Sequence, residues 1–115
     1  MKESRIFENP TDCPVVHAMN IIGGRWKPII LYCLMGGELR FGKLKVYLPT
    51  ISKKILSEQL KDLENFGLIK REVFEEKVQK VEYSLTQLGE SIIPVINAIC
   101  DWGKNEGRNI NITKI

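Results

Sequence analysis

The stretch from Phe41 to Gly67 constrains this chain most, because it sets two runs of helical periodicity on either side of a very short turn. Phe41, Leu44 and Leu48 step in helical register until Pro49 stops the run, and Leu56, Leu60 and Leu63 form a second stripe. Between them, Thr50 to Ser52 supply a turn with a capping hydroxyl. Phe66-Gly67 ends the second run, with glycine where a helix C-terminus commonly turns left-handed. The sequence therefore reads helix, tight turn, helix, and so short a turn sets the two helices at a steep angle.

The flanks complete the plan. After Gly67, Lys70-Arg71-Glu72-Val73-Phe74 and Val81-Glu82-Tyr83-Ser84-Leu85 read as the strands of a hairpin around Glu76 to Lys80. Glu38-Leu39-Arg40 is too short for more than an edge strand. Upstream, Pro14 opens a short amphipathic helix with Val15, Val16, Met19 and Ile22, which the hinge Gly23-Gly24 ends. Trp26, Ile29, Ile30, Cys33 and Leu34 then recur at spacings of three and four up to Gly36-Gly37, predicting a deeply buried second helix. Thr86 caps one long final helix carrying Leu88, Ile92, Ile93, Val95, Ile96, Ile99, Cys100 and Trp102, more apolar circumference than one core contact needs. At 115 residues and 43% apolar the chain suits one core. We divide it into an arm (residues 1–11), one domain (12–107) and a tail (108–115).

Three helices followed by a hairpin is the order of a winged helix-turn-helix domain, mainly α with a small β-hairpin, in which one helix crosses DNA phosphates and the next presents its N-terminal end to base edges. The formal net charge of +3 says little alone. Its distribution says more: residues 40–54 carry Arg40, Lys43, Lys45, Lys53 and Lys54 and no acidic residue. With Leu56, Leu60 and Leu63 facing inward, Lys54, Ser57, Glu58 and Lys61 point outward, while Ser52 and Lys53 lie at the helix start and flank. Lysine reaches guanine acceptors or phosphate, serine donates to either, and a helix N-terminus favours a nearby phosphate. The blander reading makes Lys54, Glu58 and Lys61 spaced ion pairs on a solvated face.

The ordered set Cys13-Pro14-Val15, Gly23-Gly24-Arg25-Trp26-Lys27, Leu39-Arg40-Phe41, Ile51-Ser52, Leu56, Leu60, Leu63-Glu64, Gly67-Leu68-Ile69, Arg71, Val81 to Thr86, Leu88-Gly89 and Trp102-Gly103 resembles the HxlR-type transcription regulators, relatives of MarR-type proteins in architecture. The resemblance covers residues 13 to about 103. It implies a homodimeric DNA-binding regulator whose helix from Ser52 enters the major groove and whose residues 76–80 form the wing tip. The wing departs from the family pattern: Lys77-Val78-Gln79-Lys80 precedes Val81, in place of a proline-rich approach and an arginine, so a charge persists at Lys80. Independently of the resemblance, the surplus apolar surface of the last helix and the weakly partnered first helix predict a dimer built by these terminal helices. Its reading helices would lie about 34 Å apart on an inverted-repeat operator.

The three cysteines, Cys13, Cys33 and Cys100, form no Cys-x-x-Cys and suggest neither a disulfide framework nor zinc. A reducing cytoplasm fits them. Cys13 begins the first helix, where unpaired N–H groups favour a thiolate; Lys2 and Arg5 lie near in sequence, and Asp12 opposes the shift. The resemblance implies a sensor of oxidants or electrophiles at this Cys-Pro position; the alternative is a small residue in a dimer contact. Cys33 reads as core, and Cys100 as core or dimer seam. His17 is the lone histidine, so no metal site is expected, and no phosphate loop, Ser-His-Asp set or paired carboxylates suggest an enzyme. No cofactor is implied. The N-terminus leads into no apolar signal core, and the longest apolar run, Ile29 to Met35, falls far short of the ~18 residues of a membrane span.

The expected function is a cytoplasmic, dimeric regulator, a repressor by our reading, on double-stranded operator DNA. Ser52, Lys53, Lys54 and Ser57 are its candidate readers, Arg40, Lys43 and Lys80 its candidate phosphate contacts, and Lys61 and Lys77 further candidate DNA-binding residues. Two alternatives stay open: a winged-helix protein-interaction module, and a regulator answering a small apolar effector without thiol chemistry.

Overall fold

The computed structural model describes Ile6 and residues 8–112. Lys2 and Arg5, expected near Cys13, lie outside the described residues. A short 3-10 turn, Pro10–Asp12, leads into α1 (Pro14–Ile22), and Gly24, at φ +94°, turns the chain into α2 (Lys27–Leu34). Strand β1 (Leu39–Arg40) passes directly into α3 (Phe41–Tyr47), and α4 (Lys53–Asn65) follows the expected turn. Gly67 has φ +79°, the left-handed conformation anticipated there, and starts β2 (Ile69–Phe74), which pairs antiparallel with β3 (Lys80–Leu85).

The short edge strand expected at Glu38-Leu39-Arg40 forms: Leu39 and Arg40 pair with Tyr83 and Glu82, so the hairpin becomes the larger part of a three-stranded antiparallel sheet in the order β1-β3-β2. Two expectations change. The final helix is two: α5 (Gln87–Glu90) and α6 (Ile93–Lys104). Pro94 is the cause, since its ring clashes with the carbonyl four residues back and it has no N–H to bond there. Ser91 and Ile92 instead close tighter bonds to the Leu88 and Gly89 carbonyls. The second helix is also less enclosed than its stripe predicts: Ile30, Leu31 and Leu34 are buried, but Cys33 and Trp26 are only half-buried and Ile29 is exposed.

The core gathers Ile30, Leu31 and Leu34 of α2, Leu44 and Leu48 at α3, Ile51 of the turn, Leu56, Leu60 and Leu63 of α4, Leu68 and Ile69, Ile22 from α1 and Ile96 from α6. Nine of these thirteen residues come from α2, α3 and its C-terminal end, the turn and α4. Helices α1 and α6 each contribute one buried residue and leave Val15, Met19, Val95, Ile99 and Trp102 exposed.

Candidate nucleic-acid interface

The α3–turn–α4 unit owes its angle to local chemistry. Leu48 and Ile51 are buried and pin the turn to the core, and the Lys45 ammonium donates to the Ile51 carbonyl. Lys45 is thus half-buried and engaged. Of the five cations of residues 40–54, Arg40, Lys43, Lys53 and Lys54 are exposed, and Lys45 alone turns inward to a carbonyl. Ser52 caps α4, its Oγ accepting from the Ile55 N–H at 3.1 Å. That bond uses an acceptor lone pair and leaves the hydroxyl proton to donate outward.

Beyond the cap, α4 presents Lys53, Lys54, Ser57, Glu58 and Lys61 to solvent over the buried stripe of Leu56, Leu60 and Leu63. Among the described residues Lys53, Lys54 and Lys61 form no ion pair, so the spaced-pair alternative finds no contact to rest on. Lys43 lies 5.5 Å from the Tyr47 ring centroid and stays exposed. On the wing, Lys77 is exposed in the loop between β2 and β3, beside Glu75 and Glu76. Lys80 begins β3 where the wing loop ends, opposite Phe74, half-buried, 5.2 Å from that ring and 3.7 Å from a Glu82 carboxylate oxygen. The candidates therefore separate into exposed cations at the β1–α3 junction, on α3 and α4 and in the wing loop, and one anchored cation where that loop enters β3.

The chain has the same order and shape as known regulators. A family model described as HxlR-like helix-turn-helix matches residues 21–111. An HTH-type transcriptional regulator of Methanothermobacter thermautotrophicus is 45% identical over 95 residues, covering 83% of this chain and 72% of that protein. The chain belongs to the HxlR-like helix-turn-helix family. It is a winged-helix, DNA-binding transcriptional regulator, and its relatives are regulators and not enzymes. Among solved structures, the redox regulator HypR in its reduced form is similar at 36% identity and TM-score 0.80, covering 84% of this chain and 95% of that one. Reduced YodB from B. subtilis matches at 35% and 0.72, covering 80% and 91%.

Within this HxlR-like frame, Cys13 is not part of the α3–α4 unit. It precedes α1, is half-buried, receives the His17 N–H on its carbonyl at 2.9 Å and makes no capping bond with its thiol. Cys33 lies in an open groove with Tyr32, Met35, Tyr47, Leu48 and Asn97, and burial pushes its thiol above the ordinary value. Cys100 shares a shallower apolar hollow with Ile29, Tyr32 and Ile99. Sequence reasoning missed one feature: the Lys27 ammonium bridges α2 to Gln59 and Asp62 of α4. Only the spacing of Ile55, Gln59 and Asp62, which places them along one edge of α4, hinted at it. Among the described residues no helix is long and apolar enough to cross a membrane, and no three His, Cys, Asp or Glu groups converge as metal ligands do.

Proposed function

We propose that this chain is a cytoplasmic homodimeric repressor that reads an inverted-repeat operator with α4. Ser52, Lys53, Lys54, Ser57 and Lys61 face the major groove, Arg40 and Lys43 hold flanking phosphates, and Lys77 extends the contact from the wing. Lys80, tied to Glu82 and Phe74 where the wing loop enters β3, lends a weaker charge to the backbone. The observation that carries this reading is the outward face of α4, where Lys53, Lys54 and Lys61 have no acidic partner among the described residues and the capped N-terminus lies beside the first two. Residues 12–107 form the proposed DNA-binding domain, with residues 1–11 an arm and 108–115 a tail.

Dimerisation is supported by shape. The radius of gyration is 16.6 Å, with extents of 60 × 31 × 24 Å, against about 13 Å for a compact chain of this length. Helices α1 and α6 leave apolar faces uncovered. A response to oxidants or electrophiles through Cys13 is supported by its place at the start of α1 and by the likeness to HypR, solved in reduced and oxidised forms.

The test selects genomic fragments on the purified reduced protein, then measures fluorescence anisotropy on each against scrambled competitor at two salt concentrations. One or a few fragments retained against competitor, containing an inverted repeat and weakened by salt and by Lys53→Ala, support the reading. Equal weak binding to all fragments sinks it and favours a protein-interaction module. A Cys13→Ser variant that keeps the wild-type dose response to a thiol oxidant removes Cys13 as the sensor, and a wild-type protein that does not answer the oxidant at all leaves a noncovalent apolar effector as the signal.

A further inference from the structure

Lys27 occupies the first position of α2, the positive end of a helix, where a cation is disfavoured by the backbone dipoles. Its side chain is nonetheless only 13% exposed, and its ammonium lies 2.9 Å from Gln59 Oε1 and 3.1 Å from Asp62 Oδ2. Gln59 and Asp62 are three residues apart, on successive turns of α4, along the edge between the buried leucine stripe and the outward face of Lys54, Ser57 and Lys61. Apolar packing sets the distance between two helices but resists rolling and sliding weakly. Two directional, charge-assisted contacts to different turns resist both. Lys27 also follows directly on the bend at Gly24, so this contact joins the exit from α1 to the middle of α4.

We propose that Lys27 is a positioning residue for DNA recognition. Through Gln59 and Asp62 it fixes the rotation of α4 about its own axis, and with it the direction in which Lys54, Ser57 and Lys61 meet the base edges. This rests on the reading of α4 as the helix that enters DNA. Because the Lys27 ammonium is turned to α4 and largely covered, it neutralises no phosphate. Its loss therefore affects the discrimination between sequences and leaves the electrostatic part of binding alone.

The experiment uses the full-length protein, a selected operator duplex and a scrambled duplex, titrated at several salt concentrations. Lys27→Met is expected to weaken operator binding about tenfold, comparable with misaligning one good base contact. Scrambled-duplex affinity stays within about twofold, and the slope of log affinity against log salt is unchanged. The Gln59→Leu/Asp62→Asn double variant reproduces the loss, adding Lys27→Met to it costs nothing further, and Lys27→Arg retains operator binding. If Lys27→Met does not fold, the conservative Asp62→Asn, at a half-exposed site, carries the same expectation with a smaller loss. A salt slope reduced by about one, with both duplexes weakened, makes Lys27 a phosphate contact and overturns the inference. So does a lowered melting temperature with unchanged operator affinity. Lys54→Ala serves as the control: if it leaves operator binding intact, the reading of α4 fails and the inference with it, whereas Lys54 sensitivity without Lys27 sensitivity overturns the inference alone.

Discussion

The α3–turn–α4 unit and the pair of flanking helices α1 and α6 use the same apolar residue types to opposite ends. In the first, Leu44, Leu56, Leu60 and Leu63 are at most 1% exposed, and the charges are left outside. In the second, Val15 is 69% exposed, Met19 and Trp102 54%, and Ile99 51%. One region has finished its hydrophobic burial within a single chain. The other has a face still to cover, and with the proposed partner it sets the distance between two finished reading units. A regulator divided in this way can change its operator fit by shifting the unfinished region without repacking the finished one. Cys13 belongs to the unfinished region, at the entrance to α1.

The largest expected effect breaks the second region. Ile99→Asp places a carboxylate in the face proposed to meet a second copy, and sedimentation is expected to show a monomer. Operator affinity then falls by ~10²–10⁴, the avidity lost with the second half-site. Ile99 is half-exposed in the single chain, so the monomer's circular dichroism should hold. A dimeric Ile99→Asp protein would erase the distinction between the regions. Leu60→Ala attacks the other side. It opens a cavity at a site 1% exposed and is expected to cost ~2–5 kcal/mol in denaturant unfolding, while sedimentation at low denaturant still reports a dimer. A loss below ~1 kcal/mol would show that the reading unit is looser than its burial implies.

The contrast was half-legible in the sequence, for a physical reason. Where the signal is local, the reading holds: Pro14 opens α1, Ser52 caps α4, Gly67 turns left-handed, and the alternation after it gives β2 and β3. The excess apolar circumference of the last helix was also visible, and exposure confirms that a single chain leaves it uncovered. Periodicity misled at the C-terminal side, because Leu88, Ile92 and Ile96 keep helical spacing straight through the break that Pro94 imposes. On α2 the apolar stripe is wider than the arc the core can cover, so Ile29 reaches solvent. The contacts that decide which candidate cations are free were not readable. Lys45 to the Ile51 carbonyl, Lys80 to Phe74 and Lys27 to α4 depend on how the chain turns and elements meet, and charge alone does not report that; only Lys80 to Glu82, two residues apart on one face of a strand, follows from local spacing.

A smaller effect sharpens the account of the finished unit. Ser52→Ala removes the bond to the Ile55 N–H and is expected to cost about 1 kcal/mol of stability. The same change removes a hydroxyl donor at the proposed groove face. Operator affinity should therefore fall by more than scrambled-duplex affinity, and equal losses on both would confine Ser52 to its capping role.

The smallest effect lies where the two regions meet. Cys33 lines the groove between α2 and α3, with Asn97 of α6 at its rim, and burial raises its thiol pKa in the folded protein. The thiolate is the nucleophile, so alkylation by iodoacetamide at pH 8 should run several-fold slower in the folded than in the denatured protein. The gap should narrow only as pH rises past the raised folded value. The linked stability has the matching sign: folding favours the protonated thiol, so this contribution is full below the unfolded value of about 8.5 and is lost as pH climbs through the folded one. Cys33→Ala should flatten that part of the alkaline stability profile. Mass spectrometry of the Cys33 peptide decides the point. Slow labelling that quickens in Ile99→Asp would mean the partner copy helps close the groove, moving Cys33 to the unfinished side; slow labelling in both proteins keeps it with the finished core.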